Sequence, residues 1–439
     1  MRDMSEDYAG PVSATVRPGA GGAAALPAEG LAPEHVLHLI GQAQSMDVAW
    51  RNGRSWAYTY FANDGLLDLA GTAYRAGISA NGLSSSAFPS LARFEADIIG
   101  WLGALTGGAE AGSITSGGSE SILMAVKAAR DQARSTGRLA AGRRGNIVGS
   151  RSTHPGFAKA AHYLDLDLRR AALLGDQRAD CEAMGALVDR DTVLMVASAP
   201  SYPHGVVDDV ARIAALADAA GVPCHVDACV GGMVLPFARA IGAWDKEFGF
   251  SNPGVTSVSV DLHKYGYAPK GASVILYRSA EMFQAQKFSH ADWTGGRYEV
   301  PNLCGTRPGG AITAAWATMR ALGHSGYRDL TRQALGATRR LRAGLDAVTG
   351  LHVVGDPDMT LLAVGDSLGR IRPIAAGLRD RGWVLGVQGY AGTGEEPSIH
   401  LTVTAGHLPV IDEFLNDLSD AAGAASGDRS GAASGDRSG

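Results

Sequence analysis

The sequence is poor in the features that mark several large protein classes. Only four cysteines occur in 439 residues, Cys181, Cys224, Cys229 and Cys304. They match no metal-ligand spacing and are too few for a disulfide framework, so they read as reduced thiols of a cytoplasmic protein that holds no metal. Basic residues number 39 against 44 acidic ones, a formal net charge of −5. No Lys/Arg cluster stands out that could follow a phosphate backbone, which argues against nucleic acid as a partner. No apolar run reaches the ~18 residues that suggest a membrane span. The opening Met-Arg-Asp-Met-Ser-Glu-Asp has no apolar segment behind it of the kind a secretory signal needs.

Both ends are also low in side chains that build a core. Residues 1–60 read as an N-terminal arm, loosest in the Ala/Gly-rich stretch Gly19–Leu26. At the other end Ala-Ala-Ser-Gly-Asp-Arg-Ser-Gly occurs at Ala424–Gly431 and again at Ala432–Gly439. Residues 423–439 therefore read as a disordered repeat tail, whose removal is expected to leave stability unchanged.

Between these ends, strand-like and helix-like patterns alternate. Short β-branched runs occur at Asn146–Ser150, Thr192–Ser198, Val222–Asp227, Val255–Asp261 and Ser273–Tyr277. Helical periodicity fills Ser119–Arg134 and Asp208–Ala220. Strands joined by helix-length crossovers argue for an α/β fold with a mostly parallel sheet covered on both faces. Strands that are apolar almost throughout fit burial on both sides. After about Arg320 the pattern changes to a smaller α+β unit, giving a large domain over residues 61–320 and a small C-terminal domain over residues 321–422.

Four segments carry chemistry. Ser257–Gly271 runs from a strand into His263-Lys264 and a Gly/Pro-rich loop. A lysine at a strand end facing a cleft is a candidate Schiff-base former, its amine freed by desolvation and nearby cations; the plain alternative is an exposed His-Lys pair. In Pro223-Cys-His-Val-Asp227-Ala-Cys229, an apolar strand ends in Asp227. That carboxylate is either a turn cap or the partner that keeps a pyridine nitrogen protonated. Thr115-Ser-Gly117-Gly118-Ser119-Glu-Ser121 opens a helix, and its glycines and free N–H groups suit a phosphate. Ser119 is equally suited to capping that helix. The segment lacks the Gly-Lys-Ser/Thr ending of a nucleotide-binding P-loop. His154 follows the Asn146–Ser150 strand and, beside the other three pieces, fits a flat ring stacked on a cofactor.

Taken together and in this order, these segments resemble the pyridoxal-phosphate-dependent sphingosine-1-phosphate lyases, relatives of the group II amino-acid decarboxylases with the aspartate-aminotransferase (fold-type I) architecture. The likeness is carried by TSGGSESIL from Thr115, PHGVVD from Pro203, PCHVDACVGG from Pro223, Gly254–Tyr277, DWTGG from Asp292, TRPGG from Thr306 and PSIH from Pro397. It runs from roughly Tyr60 to Leu418. The resemblance implies pyridoxal 5′-phosphate on Lys264, Asp227 at the ring nitrogen and His154 on the ring. It also implies Gly117, Gly118, Ser119 and His263 at the cofactor phosphate, a homodimer, and Gly305 and Thr306 reaching that phosphate from the other subunit. Lys270 matches the second lysine of the family's Lys-rich loop, and Tyr60 matches a tyrosine near the substrate phosphate. Arg307 either contacts substrate or caps a loop.

One departure stands out. Where the lyases carry an Asn-Pro-Leu-His-Pro-like segment, this chain reads Asn81-Gly-Leu-Ser84-Ser-Ser86, so Ser84 replaces a histidine near the substrate phosphate. The implied reaction is cleavage of the Cα–Cβ bond in a β-hydroxy amine or amino-acid-like substrate, phosphorylated or not, and Ser84 argues against the long-chain sphingoid phosphate. The alternative is decarboxylation of an L-amino acid. Every cofactor residue that can be aligned is present, which argues against a non-catalytic relic.

Overall fold

The computed structural model describes residues 26–389 and 395–432. Its large domain is built on seven strands: β1 (Ala111–Thr115), β2 (Gly145–Ser150), β3 (Leu166–Ala171), β4 (Thr192–Ser198), β5 (Cys224–Asp227), β6 (Val255–Val260) and β7 (Ser273–Tyr277). They lie in the order β1-β7-β6-β5-β4-β2-β3. Strands β3, β2, β4, β5 and β6 pair in parallel, while β7 runs antiparallel to both β6 and β1. All residues of β2, β4, β5 and β7 are buried, as the apolar runs predict for a sheet sandwiched between helices. Helix Gly118–Ser135 covers one side. Its Ile122, Val126 and Ala129 pack with Ile147 and Phe157, and its Met124, Ala125 and Ala128 with Ile275 and Tyr277.

A short hairpin of β8 (Phe288–His290) and β9 (Tyr298–Val300) follows. Helix Gly309–Leu345 then leads out of the large domain and breaks at Gly323, whose φ of 54° and ψ of −172° are non-helical. Its later turns supply Ala337, Leu341 and Leu345 to a second core. That core belongs to an antiparallel sheet in the order β10-β11-β13-β12, formed by β10 (Leu351–Val353), β11 (Leu361–Asp366), β12 (Gly386–Gln388) and β13 (Ser398–Thr402). Helices Ile371–Asp380 and Ile411–Ala432 pack on it through Ile374, Leu378, Phe414 and Leu418. A mostly parallel large sheet with a smaller β-rich C-terminal domain is the fold-type I architecture that the sequence implies.

The end of the expected arm docks on the small domain. Trp56 is fully buried in the small-domain core. Its N–H donates to Val384 O at 2.8 Å, and its carbonyl accepts from Thr402 N–H at 2.8 Å. The indole stacks on His407 at 4.1 Å between ring centroids. A large apolar ring and two backbone groups needing partners explain why this segment docks. Arg54 joins the clasp through an ion pair with Glu413. Residues 1–25, including most of Gly19–Leu26, lie outside the described residues.

The expected tail also needs correction. Helix Ile411–Ala432 continues through the whole first copy of the repeat. Ala425 is buried against the small-domain core. Arg370, also buried, donates to Ser426 Oγ at 2.6 Å and Ala422 O at 3.2 Å, besides a two-oxygen contact with Asp366 at 2.9 and 3.0 Å. Composition alone misses this because the demand comes from Arg370, a buried cation with more donors than Asp366 satisfies. The rest of the second copy, residues 433–439, lies outside the described residues. Truncation after Gly423 is therefore expected to destabilise the protein by about 1–3 kcal/mol, the size of a hydrogen bond to a charged group. Denaturant melts of the truncated and full chains measure it, and superimposable curves would show that the repeat contributes nothing.

Candidate active site

The C-terminal ends of the parallel strands converge on one cavity, where open α/β sheets commonly bind ligands. Its volume is about 450 Å3, and its walls include Ser198 at the end of β4, Asp227 at the end of β5, Asp261 just after β6, and His154 beyond β2. Gly117, Gly118, Ser119, His263, Lys264 and Lys270 complete it. The β6–β7 reversal explains the last three. Because β7 pairs antiparallel with β6, with Val260 opposite Val274, the connecting loop folds back over the sheet and carries Lys264 to the cavity.

Lys264 does not present a free amine there. Its Nζ lies 2.9 Å from Asp261 Oδ2, and the Asp261 side chain is 2% exposed. Asp261 also accepts from Ser273 Oγ at 2.5 Å. Burial is the largest single effect and lowers the lysine pKa, but the Asp261 charge and hydrogen bond, joined by Cys229 and Tyr60, together outweigh it and hold the pKa above its ordinary value. Desolvation acts on this amine in the expected direction, but the charge beside it is an anion, Asp261. On Asp261, burial raises the pKa, but Lys264, His263 and the Ser273 hydrogen bond outweigh it and leave the carboxyl below its usual range.

The other groups are held by specific bonds. Asp227 Oδ1 accepts from Cys229 N–H at 3.1 Å. His154 Nδ1 accepts from Gly156 N–H at 3.0 Å, which fixes the ring and leaves Nδ1 without a proton; burial, the largest effect, depresses its pKa. His263 Nδ1 donates to Ala272 O at 2.8 Å, turning Nε2 toward Asp261 at 3.8 Å. Lys270 Nζ donates to His263 O at 3.2 Å and sits 5.3 Å from the centre of the Tyr60 ring. Tyr60 lies beside this group, edge-on to Tyr265 at 5.0 Å.

Ser119 does not cap its helix. The N-cap is Gly117, and no side chain caps that end, so the first N–H groups are left for another acceptor. Gly118 is needed for close approach: a Cβ there would lie 2.8 Å from Asp261 Oδ2 and 2.9 Å from Cys229 Sγ. A Cβ on Gly117 would point at His263 Cε1, 3.8 Å away, into the space in front of the helix. An uncapped helix start and a small residue in front of it fit a phosphate.

The remaining expected residues lie elsewhere in the chain. Ser84, Gly305 and Arg307 line a separate cavity of about 140 Å3. Ser84 Oγ accepts from Ala87 N–H at 3.3 Å and contacts Ser86 Oγ at 3.2 Å. Thr306 Oγ1 accepts from Asn81 Nδ2 at 3.4 Å. Arg307 binds both oxygens of Glu95, at 2.6 and 3.0 Å, and Gly82 O at 2.7 Å, so within this chain it ties loops together.

Comparison with known proteins agrees with this geometry. Residues 46–364 match the pyridoxal-dependent decarboxylase conserved domain. The sphingosine-1-phosphate lyase of Arabidopsis thaliana is 37% identical over 407 residues, covering 90% of this chain and 73% of the plant protein. The chain belongs to the pyridoxal-dependent decarboxylase family. Within the family it sides with the sphingosine-1-phosphate lyases. The structure of a Burkholderia pseudomallei sphingosine-1-phosphate lyase superposes with a TM-score of 0.87 at 32% identity, covering 94% of this chain and 97% of that one. A probable L-tyrosine/L-aspartate decarboxylase of Methanothermobacter thermautotrophicus is 34% identical over 301 residues, covering 68% of this chain and 80% of that protein. Family membership makes this chain an enzyme and implies a site for pyridoxal phosphate, which the helix start and the cavity fit. No described helix is long and apolar enough to cross a membrane.

Two family segments act from behind the cavity. Asp208, from PHGVVD, accepts from Ser198 N–H at 2.8 Å and Ala179 N–H at 2.9 Å, and burial pushes its pKa up to about 6. His400, from PSIH, stacks on the cavity residue Tyr202 at 4.3 Å. Sequence reasoning missed Asp261, Tyr202 and the buried His225, which sits between Ser257 Oγ at 2.9 Å and Ser259 Oγ at 3.2 Å. For Asp261 the available signal was its spacing, three residues before the lysine at a strand end.

Burial depresses His225 and His400 to about 4 from the ordinary 6.5. Between those values the unfolded chain binds more protons than the folded one. Stability is therefore fully present above about pH 6.5 and falls as pH drops toward 4, by roughly 1.4 kcal/mol per pH unit for each histidine. Denaturant melts from pH 7 to 4.5 read this slope. His225→Asn should remove about half of it, and an unchanged slope would remove His225 as a source.

Proposed function

We propose that the enzyme is a carbon–carbon lyase that cleaves the Cα–Cβ bond of a β-hydroxy amine or related amino-acid-like substrate and releases an aldehyde. The observation that carries this reading is the convergence of Lys264, Asp227, His154 and the uncapped start of helix Gly118–Ser135 on one cavity, in a lyase-like chain. The cofactor, when bound, supplies an electron sink for the bond broken at the amino carbon. Lys264 Nζ would be its covalent anchor. Asp227 would hold a proton on its ring nitrogen, and the fixed imidazole of His154 would cover the ring. The N–H groups at Gly117–Ser119 and the edge of His263 would hold its phosphate. Lys270 and Tyr60 would face an anionic end of the substrate. Lys264 Nζ would take the β-hydroxyl proton.

The working unit is a cytoplasmic homodimer, in which Gly305 and Thr306 of one copy reach the cofactor phosphate of the other, with Ser84 and Arg307 facing the substrate end. The separation of these residues from the Lys264 cavity within one chain supports that assignment, and four free cysteines suit a reducing compartment. Decarboxylation is the second reading, favoured by the likeness to an amino-acid decarboxylase. Both reactions leave a carbanion that the same ring stabilises, so Lys264 and Asp227 serve either.

Borohydride reduction of the purified enzyme followed by peptide mapping should place the cofactor mass on Lys264; a label on another lysine would remove the anchor. On a panel of β-hydroxy amines and amino acids, aldehyde release is expected, and carbon dioxide without aldehyde would select the second reading. Ser84→His should improve the specificity constant for phosphorylated amines about ten- to a hundredfold, through a charge-assisted hydrogen bond contributing roughly 1.5–3 kcal/mol. That gain should fade above the pKa of the new imidazole. An equal gain on unphosphorylated amines would mean that the side chain acts by packing.

A further inference from the structure

Among the described residues, Asp261 is the one carboxylate within 4.0 Å of Lys264 Nζ, at 2.9 Å. It is held without slack: Ser273 Oγ donates to its Oδ1 at 2.5 Å, and the start of helix Gly118–Ser135 closes over both oxygens. We propose that Asp261 is the positioning residue of Lys264, fixing where Nζ sits and pairing with it while it carries the hydroxyl proton.

This deepens the lyase reading and rests on Lys264 being the cofactor anchor. Of the groups that raise the Nζ pKa, Asp261 acts most strongly, ahead of Cys229 and Tyr60. Tyr60 and Cys229 are neutral at physiological pH, since burial raises both pKa values. His154 and His263 are depressed by burial. Lys270 opposes a cation at Nζ, and its own pKa is lowered by burial and by Lys264. Asp227 bonds Cys229 N–H instead, and Tyr202 contributes a phenol on the cavity wall.

A charged partner matters for one of the two candidate reactions. Losing a carboxylate as carbon dioxide needs no proton acceptor at the start. Cleaving a β-hydroxy amine does. The O–H bond breaks and an N–H bond forms on Nζ. The oxygen electron pair would become the second bond of the aldehyde carbonyl, and the Cα–Cβ pair would go to the electron sink that the cofactor supplies. The proton on Nζ then returns to Cα, so the products are the aldehyde and the shortened amine, with nothing gained or lost. Asp261 neutralises Nζ while it holds that proton. An asparagine of the same shape would keep the hydrogen bond and lose the charge.

The test reads the lysine without the cofactor. The full-length chain, freed of cofactor, is labelled with trace acetic anhydride at a series of pH values, and each lysine is followed by peptide mapping. In the wild type, Lys264 labelling is expected to keep rising tenfold per pH unit past the ordinary lysine value of 10.5, while Lys270 levels off earlier. In Asp261→Asn the Lys264 midpoint is expected to fall by about 1–3 pH units, the effect of an opposite charge at this range. A Lys264 midpoint at or below that of Lys270, or one unmoved by Asp261→Asn, overturns the proposal. Should the variant fail to fold, the wild-type comparison of the two lysines decides alone. Labelling reads the ion pair and borohydride mapping reads the anchor, so failure of one is distinguishable from failure of the other.

Discussion

A carboxylate buried beyond the end of β6 sets the terms for everything around it. Asp261 is almost out of contact with solvent, and an unpaired charge in that position would be untenable. Its partners come from three directions. Lys264 arrives from the loop that follows, Ser273 from the first residue of β7, and the opening of helix Gly118–Ser135 packs over it. Each requirement shapes the fold locally. The β7 strand must run antiparallel to β6 so that Ser273 lies beside the strand end. Position 118 must lack a side chain. The loop must turn back so that Nζ meets the carboxylate. The arrangement that neutralises one buried charge is also the one that brings a lysine, a helix start and a strand-end aspartate to a common cavity.

What was legible in the sequence follows from how local each signal is. The bounds of β4 and β7 match the apolar runs read for them, because a strand buried on both faces leaves an unbroken apolar signature. Helix Gly118–Ser135 and the lysine loop were visible for a similar reason, since glycine, proline and apolar spacing are short-range cues. β1 and β3 were missed. β1 reads Ala-Gly-Ser-Ile-Thr, with little apolar content, and β3 mixes Asp and Arg into an edge strand. Trp56 and Ser426 escaped because their partners lie in distant segments, and composition reports nothing about distant demand.

The site divides along the same line. Residues on the strand ends and the β6–β7 loop were identified by type and order, and they meet. Ser84, Gly305, Thr306 and Arg307 were identified by likeness alone, and they occupy a different part of the chain. Arg307 shows why motif matching stops short of a role: its guanidinium already bonds Glu95 and Gly82 O within the chain, so a loop-tying role stands beside the substrate contact that the likeness implies. His225 is the converse, a histidine in an apparently apolar strand whose ring is satisfied by two serines on the neighbouring strand.

The docking of Trp56 into the small domain also bears on how the chain is made. Ser55 O accepts from His407 Nε2, a partner 352 residues later in the sequence. During synthesis at about 5–20 residues per second, that gap keeps the segment waiting on the order of 20–70 s after it leaves the ribosome. Throughout that interval a large indole has no core to enter, while the seven-stranded sheet can already assemble. The small domain is thus the last part to close, and it closes over a segment made long before it. Nascent chains stalled before His407 should expose this tryptophan to chaperones, and release of the full chain should end that exposure.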